Sequence, residues 1–152
     1  DKMDDKTTYL NKYLVDTQSY DKILKFEFNG LNSYVVKSNS NIFIYLKSNY
    51  FGEDWLFHTH IKVMVGDTKI ESSKDLTGKR KLSSLHEGYV YENNSYDGSD
   101  DLEIIKLISD NLDKSVTVRL YGKDSYKDIN LRKKEKFGIK QTYELYKFLQ
   151  GE

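Results

Sequence analysis

From Trp55 to Val65 the side chains fall into two alternating rows over eleven residues. Trp55, Phe57, Thr59, Ile61, Val63 and Val65 make one row, and Leu56, His58, His60, Lys62 and Met64 make the other. Successive Cβ atoms leave an extended strand on opposite sides, so this period of two predicts a strand with one face buried. Gly66-Asp67 and Thr68 to Ile70 follow, which predicts a hairpin. A strand of that kind needs partners. Shorter runs supply them at Tyr34–Val36, Ile42–Leu46, Gly88–Glu92, Val116–Leu120 and Tyr126–Leu131. Ser38–Asn41, Asn93–Ser99 and Gly122–Asp124 read as turns between them, and residues 72–84 read as a solvated loop.

Helical spacing appears in three places. Residues 1–20 carry Leu10, Leu14 and Val15 behind Asp4 and Asp5, which predicts a short amphipathic N-terminal helix. Ile23–Phe28 fits a last helical turn or a strand equally well. Asp100 and Glu103 form a D-x-x-E arrangement ahead of Ile105, Ile108 and Leu112, predicting a capped helix. A last helix is expected from Arg132 or Lys133 to Leu149, with Ile139, Tyr143, Tyr146 and Leu149 on one stripe. Strands cluster together instead of alternating with helices, as a parallel sheet would require. The expected class is therefore α+β: a mainly antiparallel β-sheet with helices packed on one side and an N-terminal helix. Residues 1–30 read as a polar, helical leading segment and residues 31–152 as a single α+β domain.

Composition narrows the chemistry. The 152 residues suffice for one domain, and a chain of that length buries roughly 70% of its unfolded surface without staples. There is no cysteine, which removes disulfides, thiolate nucleophiles and cysteine zinc sites together. Proline and alanine are also absent, while lysine, asparagine, isoleucine and tyrosine abound, a bias that fits AT-rich coding. Basic and acidic residues balance at 24 each, which argues against a dedicated nucleic-acid binder but leaves room for a local basic patch. Thirteen tyrosines exceed what this little aliphatic content can fully bury, so part of them should lie at the surface, either as contact residues or with rings buried and hydroxyls in water.

Four constellations bear on function. His58 and His60, at i and i+2 on a strand, would share a face, as a strand-based metal site needs. His86 or a carboxylate would complete it, but Lys62 on the same row opposes a divalent ion. The run Asp97 to Asp101 with Glu103 offers oxygens for calcium but lacks the EF-hand spacing, and helix capping already employs such carboxylates. Lys79-Arg80-Lys81 and Arg132-Lys133-Lys134 are basic clusters suited to phosphates, heparin-like glycans or an anionic lipid surface, or to solvated faces. No nucleophile elbow or phosphate-cradling glycine loop occurs. These readings favour a binding module that needs no metal or other cofactor and has no assigned catalytic residue.

The sequence Trp55-Leu-Phe57, the strand after it, Gly66-Asp67, Glu87–Glu92, the helix at Leu102–Leu112, Val116–Lys123 and Tyr126–Asp128 resembles the folded domain of spirochaete surface lipoproteins, in particular the S2-type antigens of Borrelia. The likeness spans roughly residues 40–148. It implies an exported protein tethered to the cell outer membrane by a lipidated N-terminal cysteine outside this sequence, with no family activity to carry onto particular residues. The resulting expectation is a non-enzymatic, lipid-anchored surface domain whose partner is a host or envelope protein or a glycan, not nucleic acid. The alternative is an exported metal-dependent hydrolase using the His58/His60 face.

Overall fold

Alternating runs this short reach stability only by pairing with neighbours close in sequence, and antiparallel hairpins result. The computed structural model of the protein describes residues 5–11, 29–74, 79–85 and 88–151. Its strands are β1 (Lys6–Leu10), β2 (Gly30–Ser38), β3 (Asn41–Gly52), β4 (His60–Val65), β5 (Thr68–Glu71), β6 (Arg80–Ser84), β7 (Val90–Tyr96), β8 (Thr117–Tyr121) and β9 (Tyr126–Asn130). Among the described residues two helices, α1 (Ser99–Ser109) and α2 (Lys133–Leu149), accompany these strands. The fold is α+β with mainly antiparallel sheets. One sheet runs β1-β2-β3-β7-β6 and the other β5-β4-β8-β9.

Both sheets close on one core. Leu31, Val35, Ile44 and Leu46 of the five-stranded sheet meet Ile61, Val63, Val118 and Leu120 of the four-stranded one, with Ile104, Ile105, Ile108 and Ile139 from the helices. Helix α2 lies against β2 and β3, while α1 touches β3 of one sheet and β4 and β5 of the other. A buried carboxylate fixes α2 in place: Glu135 accepts the backbone N–H of Leu31 at 2.9 Å and that of its own helix cap, Arg132, at 3.1 Å. Burial pushes the Glu135 carboxyl up from its ordinary value, against the pull of these bonds. Gly30 is required for this approach, because a Cβ there would run into the Glu135 carboxylate.

The strand expected from Trp55 begins only at His60. Phe57 has φ +54°, a left-handed conformation that breaks the alternation, so Leu56 and His58 turn inward and Phe57 outward. The expected rows resume at Ile61, Val63 and Val65, all buried. What wins over the ladder is Glu92 of β7, whose carboxylate accepts three consecutive backbone N–H groups, those of Leu56, Phe57 and His58, at 2.7–2.8 Å.

Other elements depart from the sequence reading for local reasons. The expected loop at 72–84 contains the edge strand β6, and the expected turn at 93–99 begins inside β7, which continues to Tyr96. Residues 93–95 are polar on both faces of the sheet, so hydrophobic periodicity carries no signal there. Helix α1 starts at Ser99 with Gly98 as its cap, and Asp101, not Glu103, returns to the Gly98 N–H at 2.7 Å. Within the expected N-terminal helix, Lys6–Leu10 instead forms β1, antiparallel to β2. Residues 1–4 and 12–28, including Leu14, Val15 and the ambiguous Ile23–Phe28 run, lie outside the described residues.

Candidate functional site

Cross-strand partners share a face of an antiparallel sheet, so the register of the five-stranded sheet sorts its side chains into two surfaces. One surface, carrying Leu46, Ser48, Glu92 and Tyr96, faces the core. The opposite surface carries the row Leu10–Tyr34–Tyr45, the row Asn32–Lys47–Ser95 and, further along, Asn93 with its partner Lys81. An open cleft of about 640 Å³ lies over these rows, lined by all of these residues except the fully buried Asn32.

The cleft is cationic. Lys6 from β1, Lys47 from β3, and Lys79, Arg80 and Lys81 at β6 line it, and none of its described lining residues is acidic. Lys79 is engaged at its rim by Asp97 at 2.5 Å. Lys47 sits deeper: burial, aided by the Lys81 cation, lowers its ammonium below the ordinary lysine value. Tyr34 and Tyr45, paired on adjacent strands β2 and β3, stack on one another with ring centres 4.9 Å apart, and the Tyr34 hydroxyl donates to Ser95 Oγ at 3.0 Å. Burial raises the Tyr34 phenol, so it stays a neutral donor at physiological pH. Asn32, cross-strand from Lys47, is fully buried, and neither its Oδ1 nor its Nδ2 finds a partner among the described residues. A buried amide with no partner is costly, and such groups concentrate where a ligand or water completes them.

On the core side of the same sheet lies a second arrangement that sequence reading missed. Ser48 Oγ is 2.8 Å from His58 Nε2, and His58 Nδ1 is 2.9 Å from Glu92 Oε1. An ionised carboxylate can only accept, so Nδ1–H donates to Glu92, while Ser48 Oγ bridges Nε2 and the Tyr96 hydroxyl, 2.9 Å away. Serine, imidazole and carboxylate in this order and at these distances are the parts of an acyl-transfer relay. Ser48, His58 and Glu92 are nevertheless all fully buried, so no substrate carbonyl can reach the hydroxyl. The Glu92 carboxylate is also occupied by three backbone N–H groups. Burial would raise its carboxyl, but the His58 imidazole and the N–H groups of Phe57 and His58 hold it below the ordinary carboxylate value. This network ties the 55–58 segment to β3 and β7.

The left-handed turn at Phe57 also separates the two histidines that sequence spacing placed together. His58 faces the core of the five-stranded sheet, whereas His60 is half-exposed and stacks on Tyr121 of β8, ring centres 4.7 Å apart. His86 lies outside the described residues. No group of three or more metal-ligating side chains converges among the described residues. In the expected calcium loop, Asp101 is buried and spends its oxygens on Gly98 N–H, Ser73 N–H and Ser73 Oγ, while Asp97 pairs with Lys79. Of the two basic clusters, Lys79–Lys81 joins the cleft and Arg132–Lys134 stands apart at the start of α2. Among the described residues no helix is long and apolar enough to cross a membrane. Comparison with protein-family models, with curated proteins and with solved structures finds no match.

Proposed function

We propose that the protein is a non-enzymatic binding domain that holds a polyanion, of the sulfated-glycan class, in the lysine-lined cleft of its five-stranded sheet. One observation carries this reading: a chain of zero net charge gathers cations from three separate strands over one cleft whose described lining holds no carboxylate. Such clustering focuses a positive potential that a neutral average conceals. A glycan is favoured over nucleic acid because Tyr34 and Tyr45 spend ring faces on each other, faces that stacked bases would need. In this reading the helices form a layer on the core side of the five-stranded sheet, so that the cleft lies on the side away from them. The domain is displayed outside the cell on a lipid anchor, as the lipoprotein resemblance implies, and metabolic labelling of the full precursor with palmitate tests that part separately.

The test is retention on immobilised heparin across a salt gradient. A Lys47→Met/Lys81→Met pair should elute at markedly lower salt, each lost contact reducing the log–log salt slope by about one. A Lys133→Met/Lys134→Met pair, of equal charge change but outside the cleft, should elute close to the parent. Equal loss in both pairs, or flow-through of the parent at low salt, overturns the reading. Stronger retention on single-stranded DNA than on heparin would reassign the partner class.

A further inference from the structure

Helix α2 turns one side to the core, with Ile139 and Thr142 buried, and the stripe opposite carries Phe137 and Phe148. Both rings are exposed, at 56% and 76%. One exposed phenylalanine is ordinary on a protein surface. These two stand eleven residues apart on the same stripe, about 16 Å along the axis, and form one apolar line. At its start an apolar hollow of about 380 Å³ is lined by Leu112, Lys133, Lys134 and Phe137. Lys133, Lys140 and Lys147 flank the line on one side, and Lys134 flanks it on the other. Glu144, on the line itself, is the one exposed carboxylate of α2, and Lys140 pairs with it at 3.9 Å. The first-turn pair Lys133 and Lys134 gains nothing from the helix, whose N-terminal dipole disfavours cations.

We propose that this face of α2 docks the domain on an anionic lipid bilayer. Apolar rings along the centre of a helix face, with lysines on both flanks, match the boundary of such a bilayer. The rings enter it, and the lysine stems reach back to the phosphates. Four lysines against one carboxylate select an anionic surface over a neutral one. The spacing of about 16 Å between the rings calls for a flat, extended partner, longer than one small ligand seated in the hollow. No residue lining the glycan cleft belongs to this face, so the inference stands or falls separately from that reading. With the helices layered opposite the cleft, as proposed, the cleft faces away from the bilayer and stays open.

Flotation with vesicles of phosphatidylglycerol and phosphatidylcholine in equal parts tests the docking. The parent should float with these vesicles, stay behind with pure phosphatidylcholine, and lose binding as salt rises. Phe137→Gln/Phe148→Gln should raise the lipid concentration at half-binding on the order of tenfold for each ring. Lys133→Gln/Lys134→Gln should raise it about fivefold for each charge. All four positions are exposed, so both variants should keep the urea midpoint of the parent. The cleft pair Lys47→Met/Lys81→Met should float like the parent. Failure of the parent to float, or equal flotation with the neutral vesicles, overturns the proposal. Loss in the cleft pair equal to that in the Lys133/Lys134 pair assigns the lipid to the cleft and refutes docking by α2. Loss with the lysines but not with the phenylalanines refutes it too, because diffuse attraction of charge then suffices. If the parent sediments as a dimer that the phenylalanine pair converts to a monomer, the face belongs to a second copy and the bilayer reading falls.

Discussion

Replacing Glu92 by glutamine keeps the shape of the side chain and removes its charge. Each Glu92 oxygen accepts two hydrogen bonds: Oε2 from the N–H groups of Leu56 and Phe57, Oε1 from the N–H and the Nδ1–H of His58. With its NH2 toward Leu56 and Phe57 the new amide deprives two donors of their acceptor; turned toward His58 it deprives one, the backbone N–H, because the imidazole can accept at Nδ1 by changing tautomer. A buried donor left unsatisfied costs about 1–3 kcal/mol, so Glu92→Gln should destabilise the fold by roughly 1–3 kcal/mol. That is a sizeable fraction of the roughly 5–15 kcal/mol typical of a domain. Trp55, the only tryptophan, adjoins the tethered segment and stacks on Phe57, so its fluorescence in a urea titration reports the loss directly. The pH dependence supplies an internal check. The folded-state carboxyl of Glu92 lies below its unfolded value, so its contribution is complete above the unfolded value, near pH 4–5, and is lost as pH falls through the folded one. The parent should lose more stability on acidification than the glutamine variant. A variant within about 0.5 kcal/mol of the parent at pH 7, or one with the same acid slope, would refute the account of the tether.

Gly30→Ala should drive the Glu135 carboxylate off the Leu31 N–H and destabilise the domain by about 1–3 kcal/mol, measurable by the same titration. Asn39, with φ +55° in the β2–β3 turn, should tolerate glycine within a few tenths of a kcal/mol but lose about 1 kcal/mol on change to alanine. Calorimetry would register that loss as a fall in Tm of roughly 2–4 °C. Lys47→Met should leave urea stability unchanged or slightly raised, because it removes a cation that burial disfavours, while weakening heparin retention. A large destabilisation there would mean that Lys47 is a structural element and not part of a binding surface.

The strands that sequence reading located well are those whose apolar rows face the shared core. Ile61, Val63 and Val65, the β8 row of Val118 and Leu120, and the hairpin at Gly66-Asp67 stand where periodicity put them. The misses follow where polar chemistry sets the conformation. Phe57 adopts a left-handed turn because Glu92, 35 residues away, gathers the surrounding N–H groups, and no local pattern encodes a distant carboxylate. Residues 93–96 continue β7 with polar side chains on both faces, Asn93 and Ser95 at the cleft and Asn94 bonded inside to the carbonyl of His58 at 2.8 Å. The cleft was half legible. Lys79–Lys81 stood out as a charge run, whereas Lys6 and Lys47 are isolated in sequence and join it only through strand register. Of the tyrosines, Tyr34 and Tyr45 line the cleft, whereas Tyr50, Tyr91 and Tyr96 are buried.

The lysines of this cleft occupy a second position of consequence. β1 and β6 are the two outer strands of the five-stranded sheet, and Lys6 and Lys81 stand on them. Outer strands offer unpaired backbone groups to any passing chain, and a fixed charge on such a strand repels a like neighbour. The residues proposed to attract the anion are thus also placed to keep copies of the sheet apart. On that proposal, a polyanion long enough to neutralise both rims at once would remove the repulsion, so chain length, not affinity alone, would divide a saturated single copy from a row of copies strung along one anion.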